Sequence, residues 1–301
     1  MILFVSSRPL ERAENIKAVW DAYNGEKEFA NLEFPYTDIK CEHGLKSGAY
    51  ELMVTDELVS CSPGKYLFIG HGMGAGKTYG LQQPNRYFQA PHLITRAIAS
   101  SPAMVPFVAK YCGIDEDKVV AIGMPRTDIY FTAEHKKTGK HLYAPTYRFY
   151  DWLPKWRIIS ENLRSGHTIM AKPHMLQSRF EPTRWGNIEM ISPGDRSTPY
   201  LMEMDTLITD YSSIMFDAMV MRKPVILFAK DKDIYLSMRG MYLPYPSKYS
   251  RIFLQDEQEL ALAIPKVEWE DRDEEYRDYF VSSCDGHSVE RTLQLIEDLS
   301  K

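Results

Sequence analysis

Residues 206–228 limit the possible fold of this chain more than any other segment. They read as a short apolar strand at Thr206–Thr209, a polar turn, a helix over 214–221 and a second strand over 224–228. The second strand contains apolar residues only, which is typical of a parallel sheet covered by helices on both faces. Because a strand, a helix and a strand in this order form a βαβ unit, the sequence predicts an α/β fold.

The same alternation of strands and helices continues along the rest of the chain. A length of 301 residues favours two domains, since a domain typically has about 150 residues. The polar run 133–140 has the composition of an interdomain linker. We expect one Rossmann-like domain over 1–132, a second over 141–284, and a C-terminal helix within 285–301 that could pack back on the first. The expected strands and helices lie at 1–5, 11–23, 66–69, 119–122, 152–164, 168–171 and 288–299.

Composition and charge exclude several classes of protein. With 44% hydrophobic and 26% charged residues, the chain is close to the globular average, which argues against disorder. A formal charge of −5 gives no overall attraction to nucleic acid or to an anionic membrane. The N-terminus has too few apolar residues for a signal peptide. No segment has the roughly eighteen consecutive apolar residues that a membrane span needs. We expect a cytoplasmic protein with at most peripheral contact at the inner membrane face.

The spacing of ligating side chains predicts no metal site. The cysteines are far apart and fit reduced, buried thiols rather than zinc ligands. His135 and His141, near the expected linker, have no acidic or thiol neighbours at ligand spacing. The cysteines are Cys41, Cys61, Cys112 and Cys284, and the histidines interpreted as surface or structural residues are His43, His92, His135, His141 and His167.

The turn between the two strands of the βαβ unit contains two hydroxyl groups, those of Ser212 and Ser213. Where a parallel strand leads into a helix, free backbone N–H groups and the positive end of the helix dipole attract phosphate. The alternative is that either serine merely caps the helix, and serine caps are commoner than phosphate sites. From this turn alone, capping is the better interpretation.

A glycine-rich segment, residues 70–78, ends in Gly-Lys-Thr and resembles a nucleotide-binding P-loop. The spacing fails, because a P-loop has glycine five positions before Gly76 and this chain has His71 there. What remains is a histidine between two glycines after a strand, where the backbone can approach a ligand closely. His71 could act as a general base near neutral pH, although a lone histidine is more often structural.

A second histidine, His174, also follows a short strand, and Arg126 and Arg148 offer guanidinium groups for phosphate. In α/β proteins, ligands bind where the carboxyl ends of parallel strands gather. Each of these residues is weak evidence alone. Their common position after strands makes a ligand site built from both halves the better interpretation.

Seven ordered motifs resemble the CDP-glycerol glycerophosphotransferase family, the enzymes that build wall teichoic acids. The similarity extends from about Cys61 to the C-terminus, and an ordered set is more specific than any single motif. The motifs are His71-Gly72 with Lys77, Gly123-Met124-Pro125-Arg126-Thr127-Asp128, Tyr143 to Arg148, Lys172-Pro173-His174, Asp205 to Phe216, Arg239-Gly240-Met241-Tyr242, and Asp285-Gly286 to Arg291.

The resemblance implies a GT-B fold, with two Rossmann-like domains facing across a cleft and the nucleotide donor held mainly by the second. It implies a metal-independent transfer, without a cofactor, in which an acceptor hydroxyl attacks the β-phosphorus of CDP-glycerol and CMP leaves. His71 would be the base, and His174 would bind or neutralise the pyrophosphate. The residues implied for donor phosphate or nucleotide are Ser212, Ser213, Asp210, Arg126, Arg148 and Lys172, and those for the acceptor or transferred group are Gly72, Lys77 and Arg239.

Two other functions stay open. The family usually has Trp where this chain has Gly70, and Thr-Pro where it has Met73-Gly74. These departures favour a nucleotide-sugar-dependent glycosyltransferase acting on another acceptor, such as hydroxymethylated phage DNA. The third possibility is a non-catalytic nucleotide-binding protein, against which the retention of both His71 and His174 argues. The expected partners are a nucleotide-activated donor and a hydroxyl-bearing polymer acceptor.

Overall fold

The computed structural model describes residues 1–31, 49–58, 64–70, 93–132, 134, 136–148, 150, 153–174 and 184–301. The chain divides into two compact units. The first unit contains the described parts of 1–132 together with 279–301, and the second contains the described parts of 133–278. Among the described residues, no helix is both long enough and apolar enough to cross a membrane.

Strands and α-helices alternate through both units. The strands are β1 (Ile2–Ser6), β2 (Lys27–Asn31), β3 (Leu52–Thr55), β4 (Lys65–Phe68), β5 (Arg96–Ile98), β6 (Val119–Val120), β7 (Lys140–Tyr143), β8 (Thr168–Ala171), β9 (Arg184–Trp185), β10 (Ile188–Met190), β11 (Thr206–Thr209), β12 (Val225–Phe228) and β13 (Ile252–Leu254). The α-helices are α1 (Glu14–Ala22), α2 (Val105–Cys112), α3 (Trp156–Asn162), α4 (Thr198–Glu203), α5 (Ile214–Val220), α6 (Lys232–Met238), α7 (Glu257–Ala263), α8 (Asp271–Val281) and α9 (Ser288–Ser300). The described 3-10 helices are Leu10–Arg12, Pro102–Met104, Glu116–Lys118, Pro125–Phe131 and Ile264–Lys266.

The first unit is built on a parallel sheet with the strand order β2-β1-β3-β4-β5-β6. All residues of β1 and β3 and the last three of β4 are buried, as expected of strands covered on both faces. The chain moves to one side of β1 for β2 and to the other side for β3. In open α/β sheets, such a reversal of strand order creates a crevice at the carboxyl ends of the strands. We call this side of each sheet its carboxyl edge.

The second unit contains a sheet with the strand order β13-β12-β11-β7-β8-β10-β9. All its pairings are parallel except that of the short β9, which is antiparallel to β10. The predicted βαβ unit is confirmed as β11, α5 and β12, and every residue of both strands is buried. The hydrophobic core of the second unit includes Trp156 and Ile159 of α3 and Leu260 of α7. The α/β fold predicted from the sequence is therefore confirmed in both units.

The end of the expected linker belongs to the second sheet, since β7 begins at Lys140. His141, which the sequence placed near the linker, is buried in β7, and its Nε2 lies 2.9 Å from Nδ1 of His167. Burial, followed by the neighbouring His167, lowers the pKa of His141 to about 4. Because His141 and His167 lie where β7 and β8 begin, this pair is at the edge opposite the carboxyl edge.

The last residues of the chain belong to the first unit, and the division falls after Asp278 rather than at the expected Cys284. The hydroxyls of Ser100 and Ser101 donate to the carbonyls of Phe280 and Tyr279, at 2.7 and 2.5 Å. Helix α9 packs against α1 and the 3-10 helix Pro125–Phe131. The hydrogen bonds that join the C-terminal segment to the region after β5 therefore start at Tyr279, before the predicted boundary at Cys284. Cys112 and Cys284 are buried thiols in this unit.

Candidate functional site

The turn that follows β11 is held by the carboxylate of Asp210. This side chain is 1% exposed, and its Oδ1 accepts the backbone N–H groups of Thr146 and Tyr211 at 2.8 and 2.6 Å. Its Oδ2 lies 2.7 Å from Nη1 of Arg148. Asp210 therefore ties the loop after β7 to the turn after β11. Its two oxygens hold protein groups, whereas the resemblance had implied a contact with donor phosphate.

Arg148 lies between two buried carboxylates. Its Nε and Nη2 donate to the two oxygens of Asp231, at 2.5 and 3.0 Å, and Nη1 donates to Asp210. Burial alone would lower the pKa of Arg148, but the charges of Asp210 and Asp231 outweigh it and the pKa is raised. The guanidinium thus stays charged and is held inside the protein. The sequence predicted that Arg148 offers a guanidinium group for phosphate; in the structure its Nε, Nη1 and Nη2 are bonded to carboxylates.

Aromatic side chains complete the surroundings of Asp231. The hydroxyls of Tyr150 and Tyr211 donate to this carboxylate at 2.5 and 3.1 Å. Burial raises the pKa of Asp231, but hydrogen bonds from Arg148 and Tyr150 outweigh it and the net pKa is lowered. The Tyr211 ring stacks on Tyr235 with centroids 3.7 Å apart. The backbone of the turn after β11 is therefore fixed by charge and by packing.

Ser212 and Ser213 come directly after this fixed turn, and both are half-buried. Helix α5 begins at Ile214, and Ser213 occupies its N-cap position without a side-chain hydrogen bond to the helix. This observation weighs against the interpretation that Ser213 is only a helix cap, because such a cap acts through its side-chain oxygen. The two serines lie at the carboxyl edge of the second sheet.

Lys172 and His174 follow β8 at the same edge. Lys172 is buried, with 8% of its surface exposed, and its Nζ lies 3.4 Å from the Pro193 carbonyl. The ring of the half-buried His174 has its centroid 5.7 Å from that of Tyr147, which follows β7. In the sheet, β7 lies between β11 and β8. The structure therefore places the predicted serines after β11 and the predicted lysine and histidine after β8, at the same edge of the sheet.

The remaining predicted residues divide between the two units. Arg239 lies directly after α6 in the second unit and is half-buried. Arg126 of the first unit is 9% exposed, and its backbone N–H donates to Oδ1 of Asn15 at 3.0 Å. Three predicted residues of the glycine-rich segment, His71, Gly72 and Lys77, lie outside the described residues.

One of the family-like motifs, Gly123 to Asp128, holds the C-terminal segment. Gly123 has φ +86°, and a Cβ there would lie 2.3 Å from both the Ser283 carbonyl and the Ser288 hydroxyl. Asp128 accepts the backbone N–H groups of Ser288 and Val289, at 3.1 and 2.7 Å, where α9 begins. This carboxylate satisfies N–H groups that a helix start leaves unpaired. The motif around Arg126 therefore contributes to the packing of α9.

Three buried polar residues at the carboxyl edges were not predicted from the sequence. Asp231 follows β12 by three positions, Asp56 follows β3 directly, and Asn15 lies in the first turn of α1. Burial, and next the charge of Glu57, raises the pKa of Asp56 to about 7. A polar residue directly after an apolar strand was the available indication for Asp56. Within the residues that can be described, no group of three metal-ligating side chains forms.

Comparison with known proteins identifies the family of this chain. Residues 11–298 match the family described as CDP-Glycerol:Poly(glycerophosphate) glycerophosphotransferase. The chain belongs to this family. Among curated relatives, the teichoic acid ribitol-phosphate polymerase TarK of Staphylococcus aureus is 27% identical over 266 residues, covering 77% of this chain and 51% of TarK. The teichoic acid glycerol-phosphate primase of Bacillus subtilis is 25% identical over 268 residues, covering 78% of this chain and 68% of the primase.

Solved structures show the fold of the family. The wall teichoic acid polymerase TagF aligns with a TM-score of 0.78 and 18% identity, over 99% of this chain and 88% of the TagF chain. A TagF structure soaked with CDPG aligns with a TM-score of 0.77. This likeness confirms the predicted GT-B class. The chain spans about half the length of TarK.

Proposed function

We propose that this protein is a transferase that moves glycerol phosphate from CDP-glycerol to a hydroxyl of a polyol-phosphate or glycan acceptor. Membership of the glycerophosphotransferase family supports the reaction class. The observation that carries the proposal is the position of Ser212, Ser213, Lys172 and His174 at one edge of the second sheet, where β11 and β8 end. Hydroxyls, an ammonium and an imidazole at one sheet edge suit a diphosphate better than a neutral ligand.

The donor diphosphate would lie on the second unit. Ser212 and Ser213 would donate hydrogen bonds to its oxygens, Lys172 would supply positive charge, and His174 would neutralise the departing phosphate. The buried carboxylates Asp210 and Asp231 are close to this turn and would repel a phosphate. Arg148, bonded to both, offsets that repulsion and keeps the turn rigid.

The transfer would follow the chemistry of phosphoryl transfer. The acceptor oxygen forms a bond to the β-phosphorus, and the bond from that phosphorus to the bridging oxygen breaks. The electron pair leaves on CMP, and the acceptor proton passes to His71 as general base. Arg126 would contribute charge to the phosphates, and Gly72, Lys77 and Arg239 would surround the acceptor or the transferred group.

The decisive experiment compares donors. The purified protein is incubated with CDP-glycerol, CDP-ribitol and UDP-glucose, and calorimetry measures binding while chromatography measures the release of the nucleotide. We expect CDP-glycerol to bind tightest and to release CMP slowly even without an acceptor. Preference for UDP-glucose would establish the nucleotide-sugar alternative instead, and binding of none of the three would indicate a non-catalytic role. Tighter binding of CDP-ribitol would keep the mechanism and change the transferred group.

Ser213→Ala tests the phosphate site. We expect this substitution to weaken binding of CDP-glycerol by about tenfold, because one hydrogen bond to a charged group is lost. Ser160→Ala is the matched control, since Ser160 bonds Asn187 beside the start of β10, at the opposite edge of the same sheet. An unchanged dissociation constant for Ser213→Ala, or equal weakening by both variants, would contradict the assignment.

A further inference from the structure

Asn15 connects two separate segments at the carboxyl edge of the first sheet. Its side-chain N–H donates to the carbonyl of Gly70 at 2.8 Å, and its Oδ1 accepts the backbone N–H of Arg126 at 3.0 Å. Asn15 is 1% exposed, and both hydrogen bonds are buried. Its partners are 55 and 111 positions away in the chain. One side chain on α1 thus joins the end of β4 to the segment that follows β6.

The stability of α1 gives no reason for an asparagine at this position. Asparagine is a weak helix former, and burying an amide is unfavourable unless its hydrogen bonds are made. Ile16 and Val19, both fully buried, already pack this helix against the sheet. Both side-chain hydrogen bonds of Asn15 are formed with residues outside α1. Asn15 therefore stabilises the two segments that it contacts rather than the helix itself.

Each hydrogen bond of Asn15 pairs a backbone group that has no partner within its own strand or helix. Arg126 is the second residue of the 3-10 helix Pro125–Phe131, and the N–H groups of a first turn have no partner within the helix. Gly70 lies beyond the last residue of β4 and has φ +60°, a conformation that interrupts the strand. The amide of Asn15 fixes the carbonyl of this glycine.

We infer that Asn15 is a positioning residue for the transfer: it fixes the peptide leading into His71 relative to Arg126. This inference rests on the proposed function, in which His71 is the base and Arg126 serves the phosphates. Gly70 directly precedes His71 in the sequence, so the Asn15 bond anchors the chain at the residue before the proposed base. Because a displacement of about 1 Å at a reacting group can cost about 100-fold in rate, a fixed peptide matters here.

Two substitutions separate the two bonds of Asn15. Asn15→Ala removes both, whereas Asn15→Asp keeps an acceptor for the Arg126 N–H and loses the donor for Gly70. We expect both variants to lower kcat for CMP release by at least about tenfold, as for other residues that orient a reactive group. The donor dissociation constant should stay within about twofold, because the groups proposed to hold the donor are mainly in the second unit.

Ser100→Ala is the matched control, because it removes a buried hydrogen bond of the same unit, that to the Phe280 carbonyl. We expect it to retain a near wild-type kcat. The positioning role would be rejected if Ser100→Ala lost as much kcat as Asn15→Ala, or if the donor dissociation constant rose in step with the loss. It would also be rejected if both Asn15 variants kept the wild-type kcat, or if neither folded.

Amide hydrogen exchange provides a readout that does not depend on the reaction. The Arg126 amide should exchange faster in Asn15→Ala than in the wild type, and Asn15→Asp should keep its protection. If wild-type protein neither binds nor cleaves CDP-glycerol and CDP-ribitol, the proposed function fails, while the exchange data still decide whether Asn15 holds this segment. Unchanged exchange in Asn15→Ala would overturn the role of Asn15 independently of any substrate.

Discussion

Asp56 should make the stability of this protein depend on pH across the neutral range. It follows β3 at the carboxyl edge of the first sheet and is fully buried. Burial and the charge of Glu57 raise its pKa to about 7, against the opposing effects of a hydrogen bond from Ser6 and the charge of Arg8. Asp56→Asn keeps the shape of the side chain but removes its ionisation. The variant should therefore be the more stable protein above neutral pH.

The magnitude follows from proton linkage. The pKa is about 7 in the folded state and 3.8 as the reference value. Between these values the folded protein binds more protons than the unfolded chain, so stability falls as pH rises and levels off above pH about 7. At about 1.36 kcal/mol per pKa unit, the ionised carboxyl costs about 4 kcal/mol at about pH 8. Between about pH 5 and 8, the wild type should lose about 2.5 kcal/mol more than Asp56→Asn.

Urea unfolding of both proteins at pH 5 and pH 8, in the same buffer and salt, measures this difference directly. Asp117→Asn, which changes an exposed carboxyl of the same unit, controls for the change in net charge. We expect the stability advantage of Asp56→Asn to grow between the two pH values and that of Asp117→Asn to stay constant. If wild type and Asp56→Asn lost the same free energy of unfolding over this range, Asp56 would not titrate there and the reasoning would be wrong.

Two further predictions concern buried charge and backbone conformation. Arg148→Met should lower the free energy of unfolding by about 3–5 kcal/mol, because Asp210 and Asp231 would stay buried without their shared cation. If urea unfolding showed the variant to be as stable as the wild type, the two carboxylates would need no counter-charge. Gly123→Ala should destabilise more than Gly166→Ala in thermal unfolding. Both glycines have positive φ, which costs about 1 kcal/mol or more for alanine, but only at Gly123 would the new Cβ lie 2.3 Å from other atoms; equal effects would mean that the clash is relieved without cost.

The βαβ unit over 206–228 could be predicted because its information is local. A strand of apolar residues, a polar turn and a helix each depend on neighbours in the sequence, and parallel strands must place their carboxyl ends at one edge. The positions of Ser212, Ser213, Lys172 and His174 at that edge follow from this rule. Order and spacing of motifs also sufficed to identify the family, which residues 11–298 match.

The partners of the buried charges could not be predicted in this way. Arginine is a residue type that often binds phosphate, so the sequence favoured that role for Arg148. Only the adjacency of β7, β11 and β12 in the sheet places two carboxylates beside it. The chain divides after Asp278, and Ser100 and Ser101 form hydrogen bonds with residues 180 and 178 positions away, just after this division. Sequence by itself determined the βαβ unit over 206–228, the strand at 168–171 and the polar residues that follow these strands. Tertiary structure decided which of those residues face protein charges, because that depends on strand order and on contacts between distant segments.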